Sequence, residues 1–285
     1  MNEFAKSISY GNVHKGVGIT VNRISGVNEE MKRRYDDLSA DLIPISKALQ
    51  KSLIRELKDT DRTGKQTGLL SGRKLDSHAL YRDNGKVFYK NNLPVDSREL
   101  AVALLVDESG SMGCNARYAY AKAAAVVLYD FCHSLDIPCM IYGHSTGYES
   151  GIENVALYSY AEFEGFDEND KYRLMDIRAR ANNRDGAALR FVAEKLSKRA
   201  ENVKLLMLIS DGQPAASGYY GTAAEEDLRG IQHEYKRKNV LFVAAAIGND
   251  KDNIARIYGD AFMDISDISQ LPVKLTNVVK RFIKK

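Results

Sequence analysis

At 285 residues the chain has room for one large α/β domain, or for one such domain with an extension of about 100 residues. Lys and Arg number 41 against 38 Asp and Glu, and the formal charge of +3 excludes an electrostatic case for nucleic acid or an anionic membrane. Apolar residues at 44% and charged residues at 28% exclude disorder and fibrous repeats, and three cysteines with no C-x-x-C pair support neither a disulfide framework nor a thiolate zinc site.

Met1-Asn2-Glu3-Phe4-Ala5-Lys6 lacks the apolar core of a signal peptide, and no apolar run approaches the roughly 20 residues of a membrane span. The expectation is a cytoplasmic protein with reduced thiols and no membrane contact. Residues 1–28 surround one short β-type run, Val17-Gly18-Ile19-Thr20-Val21, and read as a loop with a short strand. From 28 to 58, Tyr35, Leu38, Leu42, Ile45, Leu49, Leu53 and Leu57 form a stripe at helical spacing, which predicts one long amphipathic helix or a pair. Pro44 removes an intrahelical hydrogen bond, so a kink or break is expected near Ile43. Such a face must be buried, and packing on the neighbouring domain is its expected use.

Gly64-Lys65-Gln66-Thr67 has the look of a phosphate loop. The first glycine of a Walker motif and the hydroxyl after its lysine would fall on Asp59 and Gln66, so residues 64–74 read as a solvated loop. Lys86-Val87-Phe88-Tyr89-Lys90 reads as one arm of a small hairpin, and Leu93-Pro94-Val95-Asp96 leads into residues 101–106. That run is apolar without alternation, which predicts a strand buried on both faces.

Beyond it, helices are predicted over 117–135, 185–199, 223–237, 253–258 and 271–285. Strands are predicted over 138–142, 155–160, 203–209, 240–247 and 262–265. The pattern implies an α/β fold with a doubly wound, mostly parallel central sheet and helices on both faces. Residues 98–285 would form that domain and residues 1–97 a mainly helical N-terminal extension. Ligands of such sheets bind beyond the carboxyl ends of the strands.

Asp107, Ser109 and Ser111 leave the buried strand two residues apart, and Gly110 and Gly113 let a tight loop turn all three toward one point. Oxygen donors of this kind suit Mg²⁺, alternatively Mn²⁺ or Ca²⁺. A second buried run ends in Ser210-Asp211-Gly212 and would deliver another acid to the same crest.

These two motifs, with Asn182-Asn183-Arg184-Asp185-Gly186-Ala187-Ala188-Leu189 between them, resemble a von Willebrand factor A domain and its metal-ion-dependent adhesion site. The pattern is most similar to the bacterial branch typified by the cobaltochelatase subunit CobT and the nitric oxide reductase activation protein NorD, and it covers about residues 98–285. The resemblance implies a Rossmann-like sheet with a cation contacted by Asp107, Ser109, Ser111 and Asp211, directly or through water. Asn183 or Asp185 would stand where many members have threonine, Asp185 having helix capping as its alternative role. It further implies a non-catalytic, metal-dependent protein–protein interaction in which a partner's acidic residue completes the cation's shell. The implied setting is an accessory subunit beside an AAA+ ATPase of the MoxR or chelatase type, in protein remodelling or metal insertion.

The enzyme alternative is a Mg²⁺-dependent hydrolase or phosphoryl-transfer enzyme using the same Asp and Ser residues. Ser111 lies between Gly110 and Met112 rather than in a G-x-S-x-G elbow, and no clustered carboxylates or lysine-bearing phosphate loop accompany it. No catalytic residue and no organic cofactor is assigned. Glu108 alternates away from Asp107 and is not counted. His144 falls near the crest but reads as a polar loop residue, and His14, His78, His133 and His233 as surface residues. Tyr148, Tyr158, Tyr160, Phe163 and Phe166, set among acids, read as a solvated edge. Gly218-Tyr219-Tyr220-Gly221 reads as a flexible aromatic loop beside the metal and as the leading candidate for further partner contact.

Overall fold

The computed structural model describes residues 1–61, 65–72, 74–81, 85–91, 100–149, 151–164, 167–212, 214–247 and 251–283. Residues 93–96 and Phe166 lie outside the described residues. The elements in chain order are α1 (Asn2–Ser7), β1 (Gly18–Asn22), α2 (Glu29–Asp61), β2 (Lys65–Leu69), β3 (Lys74–Leu75), β4 (Phe88–Asn91), β5 (Leu100–Asp107), α3 (Arg117–Ser134), β6 (Cys139–Glu149) and β7 (Ile152–Ala161). They continue with α4 (Asp170–Arg173), α5 (Asp185–Ser197), β8 (Val203–Ser210), β9 (Ala215–Ala216), β10 (Tyr219–Tyr220), α6 (Gly221–Lys236), β11 (Val240–Ala246), α7 (Lys251–Tyr258), β12 (Phe262–Asp264) and α8 (Leu271–Ile283).

Seven strands form the central sheet in the order β1-β7-β6-β5-β8-β11-β12. All neighbours pair in parallel except β6 and β7, which form a hairpin. All eight residues of β5 are buried because helices cover both faces. Val102, Leu104 and Val106 face a layer that includes α2, α3 and α8, while Ala101, Ala103 and Leu105 face α5, α6 and α7. The doubly wound sheet is therefore the one expected, with one addition: β1 pairs with β7 and forms an edge of the same sheet. Ala5 and Val21 of this N-terminal region are buried in the same core as Leu105.

Asn28 starts α2 by accepting the Met31 backbone N–H at 2.8 Å. The helix then continues through Pro44, so the expected break is absent. Pro44 and Ala40, whose carbonyl loses its partner, are both exposed, and water can take up the lost bond. On the opposite face Tyr35, Leu42, Leu49 and Leu53 are buried where α2 packs on α3 and α8, and this packing holds the helix straight enough to continue.

A second correction concerns residues 64–74. Instead of a loop, β2 and β3 flank β4 antiparallel in a separate three-stranded sheet. Gly68, which looked like loop punctuation, has φ +74° at the point where the β2–β4 register shifts, as a bulge requires.

An uninterrupted α2 makes a direct prediction. Pro44→Ala restores the bond to Ala40 at an exposed site and should raise stability by about 1–3 kcal/mol in a thermal melt. An unchanged or lower Tm would mean that the helix does not run through this position in solution.

Candidate metal centre

Strand β5 ends on Asp107, whose neighbours across the sheet fix what surrounds it. Parallel register sets His144 of β6 opposite Asp107, and Ser210 closes β8 on the other side. Asp107 Oδ1 accepts the Ser109 backbone N–H at 2.7 Å. Its Oδ2 accepts the Ser210 hydroxyl at 3.0 Å and the Asn183 side-chain amide at 3.3 Å. The Ser109 and Ser111 hydroxyls share a hydrogen bond of 2.9 Å, and Ser111 donates to Asp211 Oδ1 at 3.0 Å. Asn183 also donates to both oxygens of Asp185, at 3.3 and 3.2 Å. All six residues named from the sequence thus meet at the sheet crest. Asp107, Ser109, Asn183, Asp185 and Asp211 are buried there, whereas Ser111 is exposed.

The charges at this crest are unequally compensated. Arg117 donates to Asp211 Oδ2 at 2.7 Å, an ion pair that sequence reading missed. Asp107 and Asp185 share the neutral amide of Asn183 instead. Burial first, and then the Asp185 carboxylate, push the Asp107 pKa up to about 7. His144 is the other group beside them. It is no loop residue, because it lies within β6 and is fully buried. Its Nε2 is 3.2 Å from Asp185 Oδ1, yet among the described residues neither ring nitrogen meets a partner in hydrogen-bond alignment. Burial works against charge on this ring, while the Asp185 and Asp107 carboxylates outweigh it and raise the His144 pKa.

Ligating atoms of Asp107, His144 and Asp185 all lie within 4.8 Å of one another. Two buried carboxylates that converge on one N–H₂ group are short of positive charge, and a divalent cation fits that deficit. Asn183 turns its nitrogen, not its oxygen, toward the acids, because Oδ1 accepts the Ala215 N–H at 2.9 Å. Ligation through Oδ1 would need the amide turned over, with the Ala215 N–H passing to the Asn183 carbonyl 3.2 Å away. Arg184 occupies the N-cap of α5 without a side-chain cap bond, and Asp185 points into the site rather than capping the helix.

Other buried polar groups brace the loops that carry these residues. Glu108 is fully buried, accepts from the Tyr160 hydroxyl and pairs with Arg180. The Arg180 guanidinium also lies 3.7 Å from the centre of the Tyr158 ring, so this aromatic segment is partly interior rather than a solvated edge. Arg184, between Asn183 and Asp185, donates to Glu153 at 2.9 Å, to the Val13 carbonyl at 3.2 Å and to the Ser217 carbonyl. His14 is buried rather than surface-exposed, 2.9 Å from Asp227, and Asp227 also accepts the Tyr219 hydroxyl at 2.9 Å. The Gly218–Gly221 segment is correspondingly not a free aromatic loop: β9 and β10 form a hairpin, Tyr219 is buried, and Tyr220 alone of the two tyrosines is exposed. Little in the local sequence marks these partners, since all of these pairs except Tyr219 with Asp227 join residues far apart in the chain.

The family model for the cobalamin biosynthesis protein CobT VWA domain matches residues 171–285. The uncharacterized protein YojO of Bacillus subtilis is 26% identical over 246 residues, which cover 82% of this chain and 38% of that protein. Protein NorD of Brucella suis is 26% identical over 191 residues, covering 65% of this chain and 30% of NorD. The chain therefore spans well under half the length of these relatives. Among solved structures, proximal thread matrix protein 1 from the mussel byssus aligns with a TM-score of 0.49 at 18% identity, over 64% of this chain and 48% of that one.

The Glu108–Arg180 pair yields a prediction about loop bracing. Arg180→Met leaves a buried carboxylate uncompensated and should cost about 3–5 kcal/mol. Adding Glu108→Gln should recover most of that loss in urea titrations, and a double variant no more stable than Arg180→Met would refute the pairing.

Proposed function

We propose that this chain, a von Willebrand factor A domain protein of the CobT/NorD-like branch, is a non-catalytic, metal-dependent protein–protein interaction module serving as an accessory subunit. The observation that carries this reading is the pair of buried acids, Asp107 and Asp185, sharing one amide donor beneath an exposed serine hydroxyl, Ser111. Asp107, Ser109 and Ser111 would hold a divalent cation, Mg²⁺ or Mn²⁺, with Asp185 or Asn183 and with Asp211. A bound cation supplies net positive charge and an open coordination position, which an aspartate or glutamate of the partner completes. That charge-assisted contact is worth about 1.5–3 kcal/mol, enough to make docking depend on metal.

Ser111 bonds to Ser109 and Asp211 rather than to a histidine, which favours docking over nucleophilic catalysis. We further propose an AAA+ ATPase of the MoxR or chelatase type as the partner, in protein remodelling or metal insertion, as the resemblance of the motifs implies. We also place the protein in the cytoplasm; among the described residues no helix is long and apolar enough to cross a membrane.

Differential scanning fluorimetry tests the metal dependence. At a free Mg²⁺ or Mn²⁺ concentration 100 times Kd, mass action adds about 2.7 kcal/mol, a rise in Tm of about 5–10 °C. Asp107→Asn should melt at or above the chelator-treated wild type, because it removes a buried like-charge repulsion, and should show no rise with metal. Equal shifts in both proteins would contradict the site. Metal-dependent hydrolysis of phosphate or acyl esters that vanishes in Ser111→Ala would contradict the non-catalytic role.

A further inference from the structure

We propose that His144 is a nitrogen ligand of the same cation, so that Asp107, His144 and Asp185 form a centre that prefers a first-row transition dication to Mg²⁺ or Ca²⁺. This inference rests on the crest being a cation site, as proposed above.

The backbone gives His144 little freedom to be elsewhere. It is paired with Asp107 across the β5–β6 ladder, and its carbonyl accepts the Glu108 N–H at 2.9 Å. The ring is fully buried and, among the described residues, neither nitrogen has an aligned hydrogen-bond partner; for Nδ1, which has no ion pair either, that state costs about 1–3 kcal/mol and is uncommon in folded proteins. A histidine serving only as a counter-ion would aim an N–H along its carboxylate. Here Nε2 stands 3.2 Å from Asp185 Oδ1 at ion-pair distance but outside hydrogen-bond alignment, a separation that two ligands of one ion can also have. Ligands at about 2.1 Å in an octahedral shell are separated by about 3–4.2 Å, so a cluster spanning no more than 4.8 Å needs only a small contraction around the ion.

The donor set then decides the metal. Carboxylates alone suit Mg²⁺ and Ca²⁺, whereas an imidazole nitrogen shifts preference toward Mn²⁺, Fe²⁺, Co²⁺ and Zn²⁺. Ser109 and Ser111, which share a hydrogen bond, would complete the oxygen side, and the exposed Ser111 would leave that edge open to a partner.

Electron spin echo envelope modulation on the Mn²⁺-loaded full chain tests the assignment. The wild type should show coupling from a directly bound imidazole ¹⁴N, replaced by the ¹⁵N pattern after labelling with ¹⁵N-histidine. His144→Phe should lose the coupling and bind Mn²⁺ about tenfold or more weakly, with a much smaller change for Mg²⁺. Mn²⁺ bound by the wild type without nitrogen coupling, or coupling that survives in His144→Phe, overturns ligation by His144 and leaves the cation site standing. Absence of Mn²⁺ binding overturns both. If His144→Phe does not fold, His144→Gln replaces it, and loss of the ¹⁴N signal in that variant decides the case.

Discussion

Two carboxylates buried together at the end of a parallel sheet are the constraint on which this structure turns. Asp107 and Asp185 come from different elements, a central strand and the first turn of a helix, and are held within reach of one amide. Water removed from a carboxylate must be replaced by other dipoles or by positive charge, and the Asp185 carboxylate raises the cost of ionising Asp107. Asp211, the third acid, has Arg117 for this purpose. Among the described residues, the first two have only neutral donors and an imidazole. A fold that keeps such a pair at its crest holds a deficit of positive charge where, in doubly wound sheets, ligands bind.

Rigid surroundings preserve that deficit. Glu108 turns away from Asp107 and ties the segment before the second loop to the end of β5 through Arg180. The Arg180 backbone N–H adds a bond of 2.7 Å to the Glu108 carbonyl, and the Gly110 N–H donates to the Ala181 carbonyl at 2.6 Å. Arg184 gathers Val13, Glu153 and Ser217 behind the second loop, while His14 and Tyr219 converge on Asp227. Residues drawn from the N-terminal segment, a hairpin and two helices therefore fix the two acids, and the crest has little freedom to relax by spreading them apart.

Much of this was legible in the chain. Unalternated runs announced β5, β8 and β11, and helical spacing placed α2, α3, α5 and α6 to within a few residues. Asp107, Ser109, Ser111 and Asp211 were readable because acids and hydroxyls directly followed buried strands. What escaped reading depends on partners distant in sequence. Strand β1 is a short run whose place at the sheet edge is set by β7, more than a hundred residues later. Strand β6 continues through His144-Ser145-Thr146-Gly147, a polar stretch of poor strand character, because the hairpin with β7 supplies its ladder. His14 read as a surface residue, Tyr160 as part of a solvated edge and His144 as a polar loop residue for the same reason: only the fold brings Asp227, Glu108 and Asp185 to them.

A docking site of the kind proposed would link recognition to metal. In the proposed reading the buried acids would hold the ion, the serine loop would leave one side of it open, and a partner's carboxylate would close it. The claim at the centre of this reading is that a cation occupies the crest. Crystals grown with Mn²⁺ and measured on both sides of the manganese absorption edge address it most directly. The reading predicts one strong anomalous peak within about 2.3 Å of the Asp107 carboxylate, between Asp185 and the serine loop. A lattice that takes up manganese elsewhere, with no peak at Asp107, would contradict it.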